Sequence, residues 1–450
     1  MHTAADRIRN VALVGHRGTG KTSLHEALLF EAGAVSRMGS VPDGTTVSDS
    51  DPDEKARQTS ISAALTSFTW MERKVNLIDT PGEPSFVADA LGALRVCESA
   101  IFVLDGVMGV EVSTTRLWQR AAELDLARLL FVNMLDRERG DFFRTLDALK
   151  AAFGAHVVAT EIPIGAEHEI SGVIDLIDMK AYLYEGSSRG SARETPIPEE
   201  LRAQAEEYRE KLMDEVSESS DALMERYLEG EPISHEEIVG ALKEGTNHGR
   251  LFPVTCGVAT RNLATNRLLD AIVEDLPSPV KHGGLEVGGL TLRPDEDAEL
   301  FAYVFKTRAD PFAGRINLFR VYQGTLHHDS PVLNTRAHVK ERIGQLLTFE
   351  AVSRATRRSS ARATSARWPS SRRLGPATGS PPATSPSRCP RSPSRLRSWP
   401  SPWSPRARAT RTRSSRRCAV CRRRTRRSTC TATRRPASRS SPDSRPCTWR

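Results

Sequence analysis

The chain has 450 residues and a formal net charge of +8, enough length for two or three domains with a sizeable core. No apolar run approaches the ~18–20 residues of a membrane helix, and Met1–Asn10 is too short and polar for a secretory leader. These features argue against a membrane-embedded or exported class and predict a cytoplasmic protein. The charge total misleads. Residues 355–450 hold 26 Arg, no Lys and one acid, Asp443, about +25, which leaves about −17 for residues 1–354. The body is acidic and only the tail is basic. Of seven Cys, only Cys97 and Cys256 lie in the body, both at apolar positions, which predicts buried thiols in a reducing compartment.

Val11–Val14 is a short apolar run, as a buried strand requires. GHRGTGKT follows, fitting GxxxxGK[ST], and Leu24, Ala27 and Leu28 then fall at helical spacing. Strand, glycine loop and helix is the context of a phosphate-binding loop. Gly15, Gly18 and Gly20 let the backbone curl so that its amides, across His16, Arg17 and Thr19, point at phosphate oxygens. Lys21 reaches the terminal phosphates, Thr22 offers a hydroxyl to Mg²⁺, and Ser23 continues into the helix, whose positive end faces the anion. The alternative is a glycine turn before an ordinary helix.

Val75–Ile78 reads as the next strand, ending in Asp79, which can hold Mg²⁺ through water. Thr80, Pro81 and Gly82 follow, and Gly82 can bring an amide close to a γ-phosphate. Phe86, Ala90, Leu91 and Leu94 mark a helix, Ala100–Leu104 a strand, and Leu117, Ala121 and Leu124 a further helix. FVNMLD ends another strand with Asn133, Met134 and Asp136. The Asp136 carboxylate can accept from guanine N1 and N2, a donor pair that adenine lacks. Strand–helix alternation predicts an α/β fold, a parallel sheet flanked by helices, with the motifs at strand C-termini where such sheets bind ligands. Glu199–Glu231 is built of helix formers. Two prolines in Leu276–Pro279 and four glycines in Lys281–Gly289 predict a linker. Leu300–Val304 and Ile316–Val321 read as strands, with Gly314 and Gly324 as turn punctuation.

After Arg354 the chain lacks Lys, Ile, Asn, Phe, Tyr, Met, Gln, Glu and His. Such a tail buries too little apolar surface to fold. A basic nucleic-acid arm explains its arginines but not the missing Lys, Gln and Glu. A zinc site from Cys418, Cys421, Cys430 and Cys447 lacks a second closely spaced pair. Translation in a shifted frame explains more, because Lys, Ile, Asn, Phe and Tyr all have AT-rich codons.

The order GHRGTGKT, DTPG, N-x-x-D resembles the translational GTPases, and in particular elongation factor G and its paralogues. Ile162–Gly186 and Glu199–Glu231 look like that family's insert in the GTPase domain. Phe252–Asn262 and Leu268–Pro279 look like its last guanine loop and closing helix. Phe305–Leu326 and Lys340–Leu347 look like its β-barrel second domain, and the likeness stops near Phe349. The resemblance implies a GTP-binding domain over residues 1–285 with an α+β insert at about 157–252, a partial barrel over 286–352, and a disordered low-complexity tail over 353–450. It further implies GTP and GDP as substrate and product, Mg²⁺ held by Thr22, Ser60 and Asp79, and a monomer whose partner is the ribosome.

Four functional positions depart from the family pattern. Arg57-Gln58-Thr59-Ser60-Ile61 stands where the effector loop has Arg-Gly-Ile-Thr-Ile. Glu83 stands where a catalytic His orients the attacking water. Met134 replaces a Lys along the guanine plane. Val258 replaces a Ser, with Ala259 left to offer its amide to guanine. A carboxylate at Glu83 faces the γ-phosphate, and two unit charges at ~4 Å repel by roughly 1–4 kcal/mol. That slows hydrolysis about five- to thousandfold, with Lys21 and Gly82 completing the catalytic set. The expectation is slow GTP hydrolysis at the ribosome. A hydrolysis-poor GTP-binding regulator and a disrupted, inactive gene product are the alternatives.

Overall fold

The computed structural model describes residues 4–218, 221–231, 233–287, 289–310, 314–344, 346–347 and 395–396. The readings of the basic tail, the zinc cluster and the shifted frame therefore lie outside the described residues, save for Arg395–Leu396.

In chain order the first part contains β1 (Ile8–Val14), α1 (Lys21–Glu31), α2 (Pro52–Arg57), β2 (Ala64–Trp70), β3 (Arg73–Asp79), α3 (Val87–Leu94), β4 (Ser99–Asp105), α4 (Val112–Glu123), β5 (Ala127–Asn133), α5 (Phe142–Phe153) and β6 (Val157–Ala159). Next come β7 (Glu161–Ile164), β8 (Gly172–Asp175), β9 (Lys180–Tyr184), β10 (Ala192–Thr195), α6 (Glu199–Ser217), α7 (Asp221–Leu228) and α8 (His235–Asn247). Strand β11 (Phe252–Cys256) and α9 (Thr265–Glu274) return to the main body.

The main sheet has seven strands in the order β2-β3-β1-β4-β5-β11-β6. All neighbours are parallel except β2, which pairs antiparallel with β3 from Ala64↔Asp79 to Trp70↔Arg73. Strands β4 and β5 are buried along their whole length, as parallel strands covered on both faces must be. Alternation sends Phe102, Leu104, Leu130 and Val132 to the face covered by α3, α4 and α5. Ile101, Val103, Leu129 and Phe131 go to the face covered by α1 and α9. Each such side chain contributes about 1.5–3 kcal/mol of burial. Cys97 and Cys256 are buried free thiols within this body, and burial raises both above the ordinary thiol range.

The segment between β6 and β11 forms a second layer, an antiparallel sheet β10-β9-β8-β7 with α6, α7 and α8. After α9, the expected linker instead contains a hairpin of β12 (Leu285–Val287) and β13 (Leu290–Leu292). Gly283 and Gly289 lie in turns beside the paired residues. Strands β14 (Phe301–Asp310) and β15 (Gly314–Gln323) form an antiparallel pair, as do β16 (Pro331–Asn334) and β17 (Val339–Arg342). The two-residue β18 (Arg395–Leu396) lies between β14 and β16 and joins all five into one sheet.

Two cations from this sheet dock on the body of the seven-stranded sheet. Lys306 Nζ on β14 donates to Ala63 O at 2.6 Å and Asp89 Oδ2 at 2.9 Å, and also to Ser62 Oγ. Arg320 on β15 pairs with the buried Glu98, and Tyr322 Oη donates to Arg95 O at 2.7 Å. No described helix is long and apolar enough to cross a membrane.

Candidate functional site

The glycine loop connects β1 to α1 at the C-terminal edge of the parallel strands. Gly20 forms the N-cap of α1 with φ 83°, a left-handed conformation that glycine adopts without penalty. A Cβ there would also lie 2.4 Å from Asn133 Nδ2. Lys21 is buried, and its Nζ donates to His16 O at 2.6 Å. Burial pushes its ammonium down to about 8, against the opposing pull of Asp79 and Glu111. A desolvated cation among amides is suited to an anion, which would supply the charge it lacks.

The loop after β3 closes over the same place. Thr80 Oγ1 donates to Leu13 O at 2.6 Å, anchoring that loop to β1. Pro81 is buried and Gly82 lies against the glycine loop. A Cβ on Gly82 would stand 2.4 Å from Lys21 Nζ and 2.7 Å from the Arg17 amide nitrogen, so only glycine permits this approach. Glu83 follows, partly buried, and its Oε2 pairs with Arg17 Nη1 at 3.2 Å. His16 turns away, its Nδ1 3.0 Å from Ser113 Oγ and its Nε2 3.4 Å from Glu111.

Thr22, Ser60 and Asp79 converge although they come from three separate segments. Thr22 Oγ1 donates to Asp79 Oδ2 at 2.8 Å and lies 3.0 Å from Ser60 Oγ. Ser60 is carried by the segment after α2, a helix too short to show an apolar period in the sequence. Asp51 caps α2, Pro52 opens it, and Glu54 closes a capping box. Glu54 Oε1 then accepts from the amides of Ile61 and Ser62, both at 3.1 Å, directing the chain past the site. Gln58 ends the helix at φ 50°. The loop thus keeps the left-handed turn that glycine would favour, with a side chain in place that strains it.

Asp49 is not among the residues the sequence points to, yet it completes this cluster. It is 4% exposed, and burial, with Asp79 nearby, pushes its carboxyl up to about 6. Among the described residues, Asp49 Oδ1 and Asp79 Oδ1 are buried without hydrogen-bond partners. An all-oxygen donor set with two orphaned carboxylate oxygens fits Mg²⁺. Glu26 on α1 is a second such residue. Its carboxylate accepts from the amides of Val47 at 2.6 Å and Gly39 at 3.2 Å, holding the start of the segment that carries Asp49. No local sequence signal marks either acid.

The third motif ties the loops together. Asn133 Nδ2 donates to Thr19 O at 2.9 Å, and Asn133 Oδ1 accepts from the Ala259 amide at 3.0 Å. One amide side chain thus joins the glycine loop to the loop after β11. Met134 has φ 60°, and its Cε lies 3.0 Å from where a Gly20 Cβ would be. Asp136 is half-buried and accepts no hydrogen bond among the described residues. Val258 is buried in the core. Gly15 and Gly18 have positive φ, and Ser23 is half-buried in the first turn of α1.

A parallel sheet with a glycine loop at one strand end, a strand-end aspartate and an Asn-x-x-Asp turn defines a phosphate-binding-loop nucleotide protein. Residues 6–278 match the family described as elongation factor Tu GTP binding domain, and residues 299–358 match elongation factor G domain 2. The chain belongs to the elongation factor G family of translational GTPases. The elongation factors G of Mycoplasma genitalium and Mycoplasma pneumoniae are each 38% identical to it over 351 residues, 77% of this chain and 51% of theirs. A crystal structure of a protein from Thermus thermophilus superposes with a TM-score of 0.68 at 33% identity, covering 77% of this chain and 50% of that one. The chain spans about half the length of the relatives it matches. The barrel match extends to residue 358, beyond Phe349, where the likeness legible in the sequence stops.

Proposed function

We propose that the chain binds GTP with Mg²⁺ and hydrolyses it to GDP and phosphate in an elongation step at the ribosome. The observation that carries this reading is the Thr22 hydroxyl, set between Asp79 and Ser60 beside the buried Lys21. The glycine-loop amides and Lys21 hold the phosphates. Thr22, Ser60 and Asp79, joined by Asp49, would hold the metal, which would offset charge on the phosphate oxygens. Asp136 reads guanine, Met134 packs along the base, and the Ala259 amide, which donates to Asn133 Oδ1 in this structure, exchanges that bond for the guanine carbonyl. Water attacks the γ-phosphorus and the bond to the bridging oxygen breaks. Glu83 orients that water from its place after Gly82.

Residues 1–285 form the nucleotide domain in this reading, with the insert at about 157–252. Residues 286–352 form the partial barrel and 353–450 the tail. The protein acts as a cytoplasmic monomer with the ribosome as partner. Hydrolysis is slow, because a carboxylate stands where relatives carry a neutral or positive imidazole.

Titration calorimetry with GTP, GDP and ATP in magnesium tests the pocket. GTP and GDP are expected to bind and ATP to fail. Asp136→Asn, which loses two charge-assisted bonds to guanine, is expected to cut the preference for GTP over ATP by at least about tenfold. An unchanged preference sinks the base assignment. A second reading is a GTP-binding ribosome ligand that hydrolyses little, favoured by the strained turn at Gln58 and by Glu83. Single-turnover hydrolysis with ribosomes present separates the two.

A further inference from the structure

Glu83 raises an electrostatic problem that the glycine loop itself answers. Its carboxylate follows Gly82, which packs directly against Lys21 Nζ and the Arg17 amide. A carboxylate so placed repels a triphosphate more than a diphosphate, because the extra charge of GTP lies at the γ position. The Arg17 guanidinium, carried by the same loop, meets Glu83 Oε2 at 3.2 Å. The two residues are 66 positions apart in sequence, and Arg17 occupies one of the variable places in GxxxxGK[ST], where the loop itself has no need of a cation. We infer that Arg17 is a positioning residue for Glu83, offsetting part of its charge and fixing its carboxylate so that the pocket accepts GTP as well as GDP. This inference rests on the GTP reading above.

Arg17 is exposed and Glu83 half-buried, so the pair adds little to fold stability. Its effect is expected in the ratio of affinities for the two nucleotides, which a merely structural contact leaves alone. Affinities for GDP and a non-hydrolysable GTP analogue are measured for the wild type, R17A, R17K, E83Q and R17A/E83Q. In R17A the affinity for the analogue relative to GDP is expected to fall about five- to tenfold, since an unpaired carboxylate then faces the γ-phosphate. R17K is expected to keep most of the ratio, and R17A/E83Q to restore it. An R17A ratio equal to the wild type, or no restoration in R17A/E83Q, overturns this inference while the nucleotide reading stands. Wild-type protein that binds neither nucleotide overturns both.

Discussion

Asp275, at the C-cap of α9, shows how one side chain ties stability to pH. It is buried, and its carboxyl is pushed up from 3.8 to about 7, first by desolvation and then by neighbouring Glu274, against the pull of Lys243 and Arg267. The folded protein therefore binds this proton more tightly than the unfolded chain. The stability it contributes is full below about pH 4 and is lost as pH rises through about 7. Asp275→Asn is expected to remove that slope and to stabilise the protein at pH 8 by about 1–3 kcal/mol. Denaturant unfolding at pH 5 and pH 8 checks it, and an equal slope in the variant contradicts it. At this scale the sequence is legible wherever chemistry is contiguous. Gly15 to Thr22 lie in one run, and Asp79 and Asn133 each end an apolar strand. Asp49 and Glu26 are hidden, because their roles arise from segments meeting across the fold, and nothing in S-D-S-D separates Asp49 from its neighbours.

Secondary structure is legible to the same degree. The helices marked by Leu24, Leu94 and Leu117 appear as α1, α3 and α4, since their apolar spacing reflects the face each buries. Strand β2 is harder to see, because Leu65 and Phe68 are separated by Thr66 and Ser67 and show no alternation. Its pairing comes from a two-residue turn, Met71-Glu72, with φ 44° and 59°. Both residues adopt the left-handed region that a type I′ hairpin demands and that Asn-Gly usually supplies. Replacing Met71-Glu72 with Asn-Gly is expected to raise the thermal midpoint by about 2–5 °C, and an unchanged or lowered midpoint counts against the strain. Helix α8 goes unpredicted despite a signal in plain view. Ser234 and Glu237 form a reciprocal capping box, and the S-x-x-E spacing is there to be read.

Across the whole molecule, a chain of half-buried and buried polar groups links the seven-stranded sheet to the five-stranded sheet. Asn76 Nδ2 donates to Asn10 Oδ1 at 2.7 Å, Asn10 Nδ2 to Glu98 Oε2 at 2.9 Å, and Glu98 meets Arg320 on β15. Glu98 is 3% exposed, so Arg320→Met leaves an uncompensated buried charge and is expected to cost about 3–5 kcal/mol. Chemical denaturation measures the loss, and adding Glu98→Gln is expected to recover part of it. No spacing rule joins position 98 to position 320, so this contact could not be read in advance. By itself the sequence determined the class of fold and the phosphate loop, because burial period and glycine geometry are local and repeat along the chain. Only the tertiary structure decided that Asp49 lies with Asp79 and Ser60, that Arg17 faces Glu83, and that Arg320 ties the five-stranded sheet to Glu98. Each of these depends on charges brought within a few ångströms by folding, a distance that separation along the chain does not encode.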